Sequence, residues 1–193
     1  MLKEIYEVPL AIKETANIYR NKDNPLKQIP KSIIKKAKQI VIIACGTSYH
    51  AGLIGEKFFK EICNIDCKTF VASEFIYNKE IINKNTLCIF ISQSGETADT
   101  LSAVRKAKEL KAKTIAITNV TTSAITRLCD HTLPIKAGPE IGVASTKAYN
   151  AQLVCLLILA NYFSKNKTTM IDEIIDFADS FCSIKINDRI LPL

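Results

Sequence analysis

The chain has 193 residues, an apolar fraction of 48% and a formal net charge of +7. That length allows one domain with a sizeable core, and that composition excludes an intrinsically disordered chain. The longest apolar run, residues 153–160, is far shorter than the about 20 residues that a membrane-spanning helix needs. The first residues are charged and lack the apolar stretch of a signal peptide, so we expect a cytoplasmic protein with no membrane partner.

The charged and sulfur-bearing residues narrow the function classes further. The densest basic cluster, at residues 31–38, has no aromatic side chains among its lysines, which favours a solvated helix face over a nucleic-acid surface. The hypothesis of a nucleic-acid-binding function is therefore supported by net charge alone, and we expect no nucleic-acid partner. Seven cysteines without a C-x-x-C pair and two histidines predict neither a zinc site nor a disulfide framework. We expect free thiols, as in a reducing compartment.

The segment before residue 39 is predicted to be mainly helical. A partial apolar stripe indicates a helix over residues 2–20 that starts or bends at Pro9. A polar connector, residues 21–30, separates it from a short basic helix over residues 31–38. We expect this segment to form a helical extension in front of the main domain.

From residue 39 onward, strands and helices alternate. The run 39–44 is continuously apolar, which is typical of a strand buried on both faces of a parallel sheet. Further strands are predicted at residues 68–71, 86–91, 114–118 and 131–135. Helices or helical turns are predicted at residues 49–62, 73–77, 98–111, 123–128, 145–163 and 170–182. This alternation predicts an α/β fold: a three-layer αβα sandwich around a five-stranded parallel sheet with right-handed crossovers.

The turn at residues 92–97, with the sequence SQSGET, joins a predicted buried strand to a predicted helix. Free backbone N–H groups and the positive end of a helix dipole converge at such a junction. Its hydroxyls add neutral donors, and Gly95 lets the backbone approach a ligand closely. Because the turn has no lysine, it does not match the nucleotide-binding P-loop and is typical of a cradle for the phosphate of a small metabolite. The alternative is that its hydroxyls merely cap the helix.

A second turn of the same design, residues 45–48 (CGTS), follows the first predicted strand of the sheet. In a flavodoxin-like strand order, 2-1-3-4-5, strands one and three are neighbours, and the helices after them leave to opposite faces. The crevice between the carboxyl ends of these two strands is the expected ligand site. The order is predicted to place around it Thr47, Ser48, Ser92, Ser94 and Thr97.

The loop at residues 138–147 precedes the long helix and carries a conspicuous lysine. Ser145 is a good N-cap for that helix. Lys147 lies in the first helical turn, where a cation opposes the helix dipole. Its partner is therefore predicted to be either Glu140 or an anionic ligand.

Nucleophilic catalysis is not favoured by the residues near the first turn. Cys45 has no neighbouring base or cation in sequence to activate a thiolate, so we expect a packed thiol at a strand end. Ser48 and His50 are two positions apart and do not share a helix face, which disfavours a Ser–His pair.

The long helix predicted at residues 145–163 is apolar on nearly all sides. Such a helix must be buried on all sides, and the sheet covers one of them. Its remaining cover is a further subdomain, a second copy of this chain, or the N-terminal and last helices of the same chain. We expect self-association into a homodimer.

Four segments together resemble one family closely: residues 45–48, 72–75, 92–100 and 137–149. That family is glutamine–fructose-6-phosphate aminotransferase (isomerising), also called glucosamine-6-phosphate synthase. The SQSGET type of turn by itself resembles a sugar isomerase (SIS) domain, whereas the segment AGPEIGVASTKAY at 137–149 is similar to the synthase in particular. Residues 3–7 resemble the start of the family's isomerase region.

The resemblance implies a sugar-phosphate site without a metal or organic cofactor. The family makes glucosamine 6-phosphate from fructose 6-phosphate and glutamine, so fructose 6-phosphate or glucosamine 6-phosphate is the implied partner. The residues implied to hold the phosphate and nearby hydroxyls are Thr47, Ser92, Gln93, Ser94 and Thr97. The residues implied to line the sugar are Ser48, Val143, Ala144 and Ser145, and the implied site is completed by Cys45 and Gly46.

The resemblance also implies that the catalytic groups lie elsewhere. The family has an N-terminal glutaminase domain followed by two SIS subdomains, and this chain resembles the first subdomain. The enolising glutamate, the ring-opening histidine and the Schiff-base lysine belong to the second, so we expect no catalytic residue and no activity in this chain alone. The expected organisation is a helical extension (1–38), the SIS domain (39–165), and a helix with a linker toward the second subdomain (166–193). The alternative is a stand-alone SIS module that senses a sugar phosphate without turning it over.

Overall fold

A computed structural model describes residues 1–77, 82–165 and 169–182, apart from the side chains of Ile34 and Cys182. Its framework is a parallel sheet of five strands. The strands are β1 (Gln39–Ala44), β2 (Asp66–Val71), β3 (Thr86–Ile91), β4 (Lys113–Thr118) and β5 (His131–Pro134). They lie in the order β2-β1-β3-β4-β5, and all neighbours pair in parallel. The predicted strand order and the α/β class are confirmed.

Helices cover both faces of this sheet. Within the described ranges they are α1 (Leu2–Tyr6), α2 (Val8–Arg20), α3 (Lys31–Lys36), α4 (Gly46–Cys63), α5 (Ala72–Phe75), α6 (Ala98–Glu109), α7 (Ala124–Leu128), α8 (Lys147–Phe163) and α9 (Met170–Cys182). A short 3₁₀ helix, Pro25–Gln28, lies in the polar connector. Among the described residues, no helix is both long and apolar enough to cross a bilayer.

The strands are apolar along their whole length because both of their faces are buried. In β1, Ile40 and Ile42 face the layer formed by α2, α4, α8 and α9, whereas Val41 and Ile43 face the layer formed by α5 and α6. All six residues of β3 are buried. A strand packed between two helical layers has no solvated face, which is why the sequence shows a continuous apolar run there instead of alternation. The three-layer architecture is confirmed.

Two helix boundaries differ from the predictions in ways that matter later. The break between α1 and α2 falls at Glu7, and Pro9 is the second residue of α2, where a missing N–H costs no helical hydrogen bond. Helix α4 begins at Gly46, three residues before its predicted start. Gly46 has a φ of +55°, a backbone conformation that glycine adopts without strain, and this places Thr47 and Ser48 in the first turn of α4.

The apolar helix α8 is covered within the same chain. It packs against α4, α2 and α9, and the side chains of Leu156 and Leu159 are fully buried. The N-terminal and last helices therefore cover α8 together with α4 of the same chain, and its apolar character does not require a second copy. The segment before residue 39 is consequently part of the core: Ala16 and Tyr19 of α2 are buried in it.

Helix α4 approaches the sheet closely at Gly52. A Cβ added there would lie 2.8 Å from Thr69 Cγ2 and 3.0 Å from Ile42 Cγ2, both on branched side chains packed in strands. We expect Gly52→Val to lower the free energy of unfolding by about 1–3 kcal/mol through overpacking, measured by urea denaturation. Leu53→Ala, at a 39%-exposed position of the same helix, is the control and should change it by about 0.5 kcal/mol or less. Equal urea midpoints for Gly52→Val and the unmodified chain would show that α4 leaves room for a side chain at position 52, and would contradict the expectation.

Candidate functional site

A small cavity opens where β1 and β3 end. Helices α4 and α6 leave these strands toward opposite faces of the sheet, so the strand ends diverge as expected at a topological switch point. The cavity has a volume of ≈ 200 Å³. Its lining residues are Cys45, Thr47, Ser48, Ile91, Ser92, Gln93, Ser94, Thr97 and Ser145. The structure thus brings together every predicted site residue except Gly46, Val143 and Ala144.

Larger hollows occur elsewhere on the surface. One of ≈ 750 Å³ lies between the ends of α4 and α8 and is lined in part by Ile62, Tyr162 and Phe163. It faces the carboxyl ends of these helices, where the dipole is negative and the amides are engaged. Volume therefore does not identify the ligand site. The small cavity is preferred because it faces the amino termini of α4 and α6.

Ser92 organises the turn at residues 92–97. Its hydroxyl oxygen accepts a hydrogen bond from the Gly95 amide at 3.0 Å and lies 3.1 Å from the Thr97 hydroxyl oxygen. The side chain of Ser92 is almost fully buried. Ser94, by contrast, is exposed, and its hydroxyl oxygen accepts from the Glu96 amide at 3.2 Å. Ser92 therefore shapes the turn, while Ser94 is free to face a ligand.

The opposite side of the same turn is packed against α7. The Gly95 carbonyl accepts from the Ile125 amide at 3.1 Å, and the Glu96 carboxylate accepts from the Ala124 amide at 2.7 Å. Glu96 thereby places its negative charge at the amino terminus of α7, away from the cavity. Since Gly95 has a φ of +69° and its Cα faces Ser123, this position accommodates no side chain.

The cavity hydroxyls are not used as helix caps. Thr97 is the N-cap of α6 and Cys45 is the N-cap of α4, yet in the described part of the chain neither side chain makes a capping hydrogen bond. The Thr97 hydroxyl bonds to Ser92 instead. Amides in the first turn of a helix have no intrahelical acceptor, so those of α4 and α6 remain available at the cavity. The helix-cap interpretation of Thr97 is wrong, and the site suits an anion.

The cavity has no charged side chain in its described lining, and its one thiol is packed. The thiol sulfur of Cys45 lies 3.9 Å from the Thr100 hydroxyl oxygen, which is neither a base nor a cation. This agrees with the expected packed thiol. An anion in this cavity would therefore be held by neutral donors and by the helix dipoles.

Gln152 of α8 contacts Ser48, a residue of the cavity lining, and was not predicted from the sequence. Its side-chain amide donates to the Ser48 hydroxyl oxygen at 2.9 Å, and it is 1% exposed. Its Oε1 has no hydrogen-bond partner within the described residues. The available signal was a polar residue directly before the apolar run 153–160, because a buried side-chain amide requires hydrogen-bond partners.

Asn119 links the turn at residues 92–97 to the loop that follows β5. Its backbone amide donates to the Gln93 carbonyl at 3.1 Å. Its side chain accepts from the Ala137 amide at 2.9 Å and donates to the Gly138 carbonyl at 2.9 Å. No sequence pattern marked Asn119, because its partners lie 18 to 26 positions away in the chain.

The predicted partners at the start of α8 are corrected by the structure. The N-cap of α8 is Thr146, and Ser145 donates its hydroxyl to Glu140 at 2.8 Å. Glu140 also accepts from the Thr146 amide at 2.9 Å, so its carboxylate occupies the helix amino terminus. Lys147 is buried and paired with Glu7, which lies 140 residues away. Neither a Glu140–Lys147 pair nor capping by Ser145 is observed.

Two of the three predicted loop residues lie outside the cavity lining. The side chain of Val143 is fully exposed, Ala144 is exposed as well, and only Ser145 reaches the cavity.

Two carboxyl groups of the amino-terminal segment contact this loop or the residue after it, and both have a lowered pKa. The ion pair with Lys147 lowers the pKa of the Glu7 carboxyl. Two backbone hydrogen bonds, from Gly142 and Ile141, lower the pKa of the Glu4 carboxyl.

The fold and its anion-suited crevice define a class of protein. Residues 33–162 match the model of the SIS domain, and the chain belongs to the SIS domain family. Its similarity extends to solved structures whose sequences have diverged: tagatose-6-phosphate ketose/aldose isomerase from Escherichia coli is 20% identical with a TM-score of 0.75, covering 94% of this chain and 51% of that one. At this identity the likeness concerns the fold.

Within that class, one kind of enzyme is much more similar. The chain is 48% identical over 180 residues to glutamine–fructose-6-phosphate aminotransferase (isomerizing) of Clostridium acetobutylicum and 51% identical over 177 residues to that of Clostridium tetani. These alignments cover 91% and 90% of this chain but 30% and 29% of the relatives. The C-terminal domain of the Francisella tularensis enzyme is 36% identical with a TM-score of 0.82, covering 95% of this chain and 53% of that one. The chain spans less than a third of the length of the two Clostridium enzymes.

Proposed function

We propose that this chain is the fructose 6-phosphate-binding half of the isomerase module of a glutamine–fructose-6-phosphate aminotransferase. That enzyme makes glucosamine 6-phosphate from fructose 6-phosphate and glutamine. The observation that carries the proposal is the uncharged, hydroxyl-lined cavity between the amino termini of α4 and α6. Similarity to the aminotransferases over nearly the whole of this chain supports it.

We assign the phosphate to the side of the cavity formed by the two turns. There, first-turn amides and the hydroxyls of Thr47, Ser94 and Thr97 surround one position that suits a dianion. Gln93 lies beside them, and Ser92 supports the turn from within. The sugar is assigned to the side of Ser48 and Ser145, with the backbone of Val143 and Ala144 nearby in the chain, while Cys45 and Gly46 shape the strand end.

The acid and base chemistry is assigned to groups outside this chain. Proton transfer between two sugar carbons needs a side chain that titrates near neutral pH within hydrogen-bond reach of the substrate. The described lining of the cavity provides hydroxyls, one amide and a packed thiol. His131, whose pKa is lowered by burial, begins β5 at the opposite edge of the sheet. Binding and orientation are thus the proposed tasks of this chain.

We further propose a homodimer in a reducing cytoplasm. Phe177 and Phe181 of α9 are 59% and 39% exposed, and with Ile5 they line a groove close to Ser145. Exposed aromatic side chains grouped beside a site are typical of an interface. The described cysteines are free thiols, which supports a reducing compartment.

The test of the proposed function is calorimetry with fructose 6-phosphate, fructose and inorganic phosphate. We expect fructose 6-phosphate to bind and fructose to bind at least about tenfold more weakly, because each hydrogen bond to a charged group contributes about 1.5–3 kcal/mol. Inorganic phosphate should compete with the sugar phosphate. Equal affinity for the sugar with and without its phosphate, or no binding of fructose 6-phosphate, would refute the proposal.

A further inference from the structure

The loop at residues 138–146, which we call the Ser145 loop, connects β5 to α8 and carries Ser145 to the cavity. Apolar burial does not hold its middle part in place, because Ile141 is 91% exposed and the side chain of Val143 is fully exposed. Its conformation must therefore depend on polar contacts. The Asn119 side chain donates to the Gly138 carbonyl at the start of the loop. Two carboxylates accept from loop amides, Glu140 within the loop and Glu4 from the amino-terminal segment, and Glu7 pairs with Lys147 just past the end of the loop.

Glu4 of α1 holds the middle of this loop. Its Oε1 accepts hydrogen bonds from the backbone amides of Ile141 at 2.6 Å and Gly142 at 3.0 Å. Glu4 is 7% exposed, so its carboxylate is taken out of water by these contacts. Its Oε2 lies 3.4 Å from the Met1 amino nitrogen and has no hydrogen-bond partner within the described residues. Hydrogen bonds from amides to a carboxylate are charge-assisted and directional.

Gly142 is shaped to receive this carboxylate. A Cβ added at Gly142 would collide with Glu4 Oε2 and lie 3.4 Å from Glu4 Cδ. A side chain at position 142 would therefore displace the Glu4 carboxylate. The loop thus offers the Glu4 carboxylate two donor amides and, at Gly142, the space that a side chain would fill.

A second contact holds the end of the loop. Lys147, whose side chain is 3% exposed, pairs with Glu7 at the junction of α1 and α2. The segment from Glu4 to Glu7 therefore contacts the chain at two points: in the middle of the Ser145 loop and at Lys147, just past its end. Ser145 lies between these two points.

We propose that Glu4 is a positioning residue for the candidate cavity: by accepting the Ile141 and Gly142 amides it holds the Ser145 loop, and with it Ser145, at the cavity edge. Helix α1 is then part of the site although it touches no ligand. The relevance to a sugar rests on the function proposed above, whereas the hold on the loop does not.

The first measurement is amide hydrogen exchange of the loop by NMR in Glu4→Ala, Glu4→Asp and Glu4→Gln. Asp keeps the charge but is one methylene too short, whereas Gln keeps the reach and one acceptor oxygen. We expect the exchange rates of the Ile141 and Gly142 amides to rise at least about tenfold in Glu4→Ala and Glu4→Asp, and less in Glu4→Gln. The exchange rates of residues 92–97 should not change. Glu14→Gln is the matched control, because Glu14 pairs with Lys136 just before the loop.

Gly142→Ala tests the same contact from the other side. It keeps the Glu4 carboxylate but places a methyl group against it, so we expect the same rise in exchange at Ile141. The double variant Glu4→Ala/Gly142→Ala should be no faster than either single variant, because both remove one interaction. Unchanged exchange in Glu4→Ala, or better protection by Asp than by Gln, would overturn the proposal.

The second measurement is calorimetry on the same variants with fructose 6-phosphate and inorganic phosphate. We expect Glu4→Ala to weaken fructose 6-phosphate binding about tenfold and to leave phosphate binding unchanged, because Ser145 faces the sugar and the phosphate turns are untouched. Glu4→Gln should restore part of the affinity. Faster exchange with unchanged sugar-phosphate affinity overturns the positioning role. Absence of binding in the unmodified chain instead refutes the proposed function, and with it the role of Glu4 at that site, while exchange still reports whether Glu4 holds the loop.

Discussion

Gly95→Ala is expected to lower the free energy of unfolding by about 2–4 kcal/mol, since strain at a positive φ and overpacking act together. Gly95 has a φ of +69°, and an added Cβ would lie 2.6 Å from Ser123 Cβ and 2.9 Å from Ile125 Cγ2. Relief requires the turn to move away from α7. Because that turn also lines the cavity, fructose 6-phosphate binding should be lost together with stability. Urea denaturation and calorimetry on the same preparation measure the two effects.

Gly138→Ala is the matched control for this variant. Gly138 has a φ of +68°, and an added Cβ there would meet only the Lys147 Nζ, at 3.8 Å, among the described residues. The Gly138→Ala variant should therefore lose about 1–2 kcal/mol of unfolding free energy from the positive φ alone, without a steric collision. If Gly95→Ala and Gly138→Ala destabilise the chain equally, crowding against Ser123 does not contribute.

The double variant Ser94→Ala/Thr97→Ala is expected to weaken fructose 6-phosphate binding about a hundredfold or more. Each hydroxyl is assigned one hydrogen bond to the phosphate, worth about 1.5–3 kcal/mol when the acceptor is charged. Stability should change little, because the Thr97 hydroxyl does not cap α6 in the described structure and Ser94 is exposed. Calorimetry gives the affinity, and a melting curve gives the stability.

Two single variants make this result interpretable. Ser102→Ala removes an exposed hydroxyl from the same helix and should alter neither quantity. Ser92→Ala should lower both, because its buried oxygen accepts the Gly95 amide. If the double variant instead melts earlier while its affinity is unchanged, its hydroxyls serve the fold and the phosphate assignment is wrong.

The sequence by itself determined the layers and the place of the cavity. Strands such as β1 and β3 are buried on both faces, and burial on both faces requires an uninterrupted apolar run that is readable without coordinates. The turns at residues 45–48 and 92–97 are local, since Gly46 and Gly95 are needed for positive φ and the hydroxyls adjoin them in the chain. Chain order then placed both turns at one edge of the sheet.

Only the tertiary structure decided which side chains hold the site together. Lys147 carries a charge that any acidic neighbour could balance, and Glu140 was the near candidate in sequence. The folded chain instead directs Glu140 to the amides at the start of α8 and brings Glu7 to Lys147 across 140 positions. Gln152 meets Ser48 across 104 positions, and Glu4 meets the Ser145 loop across 137. Partners of this kind are selected by how α1, α2 and α8 pack, and packing depends on the shape of the whole core and not on spacing within any one segment.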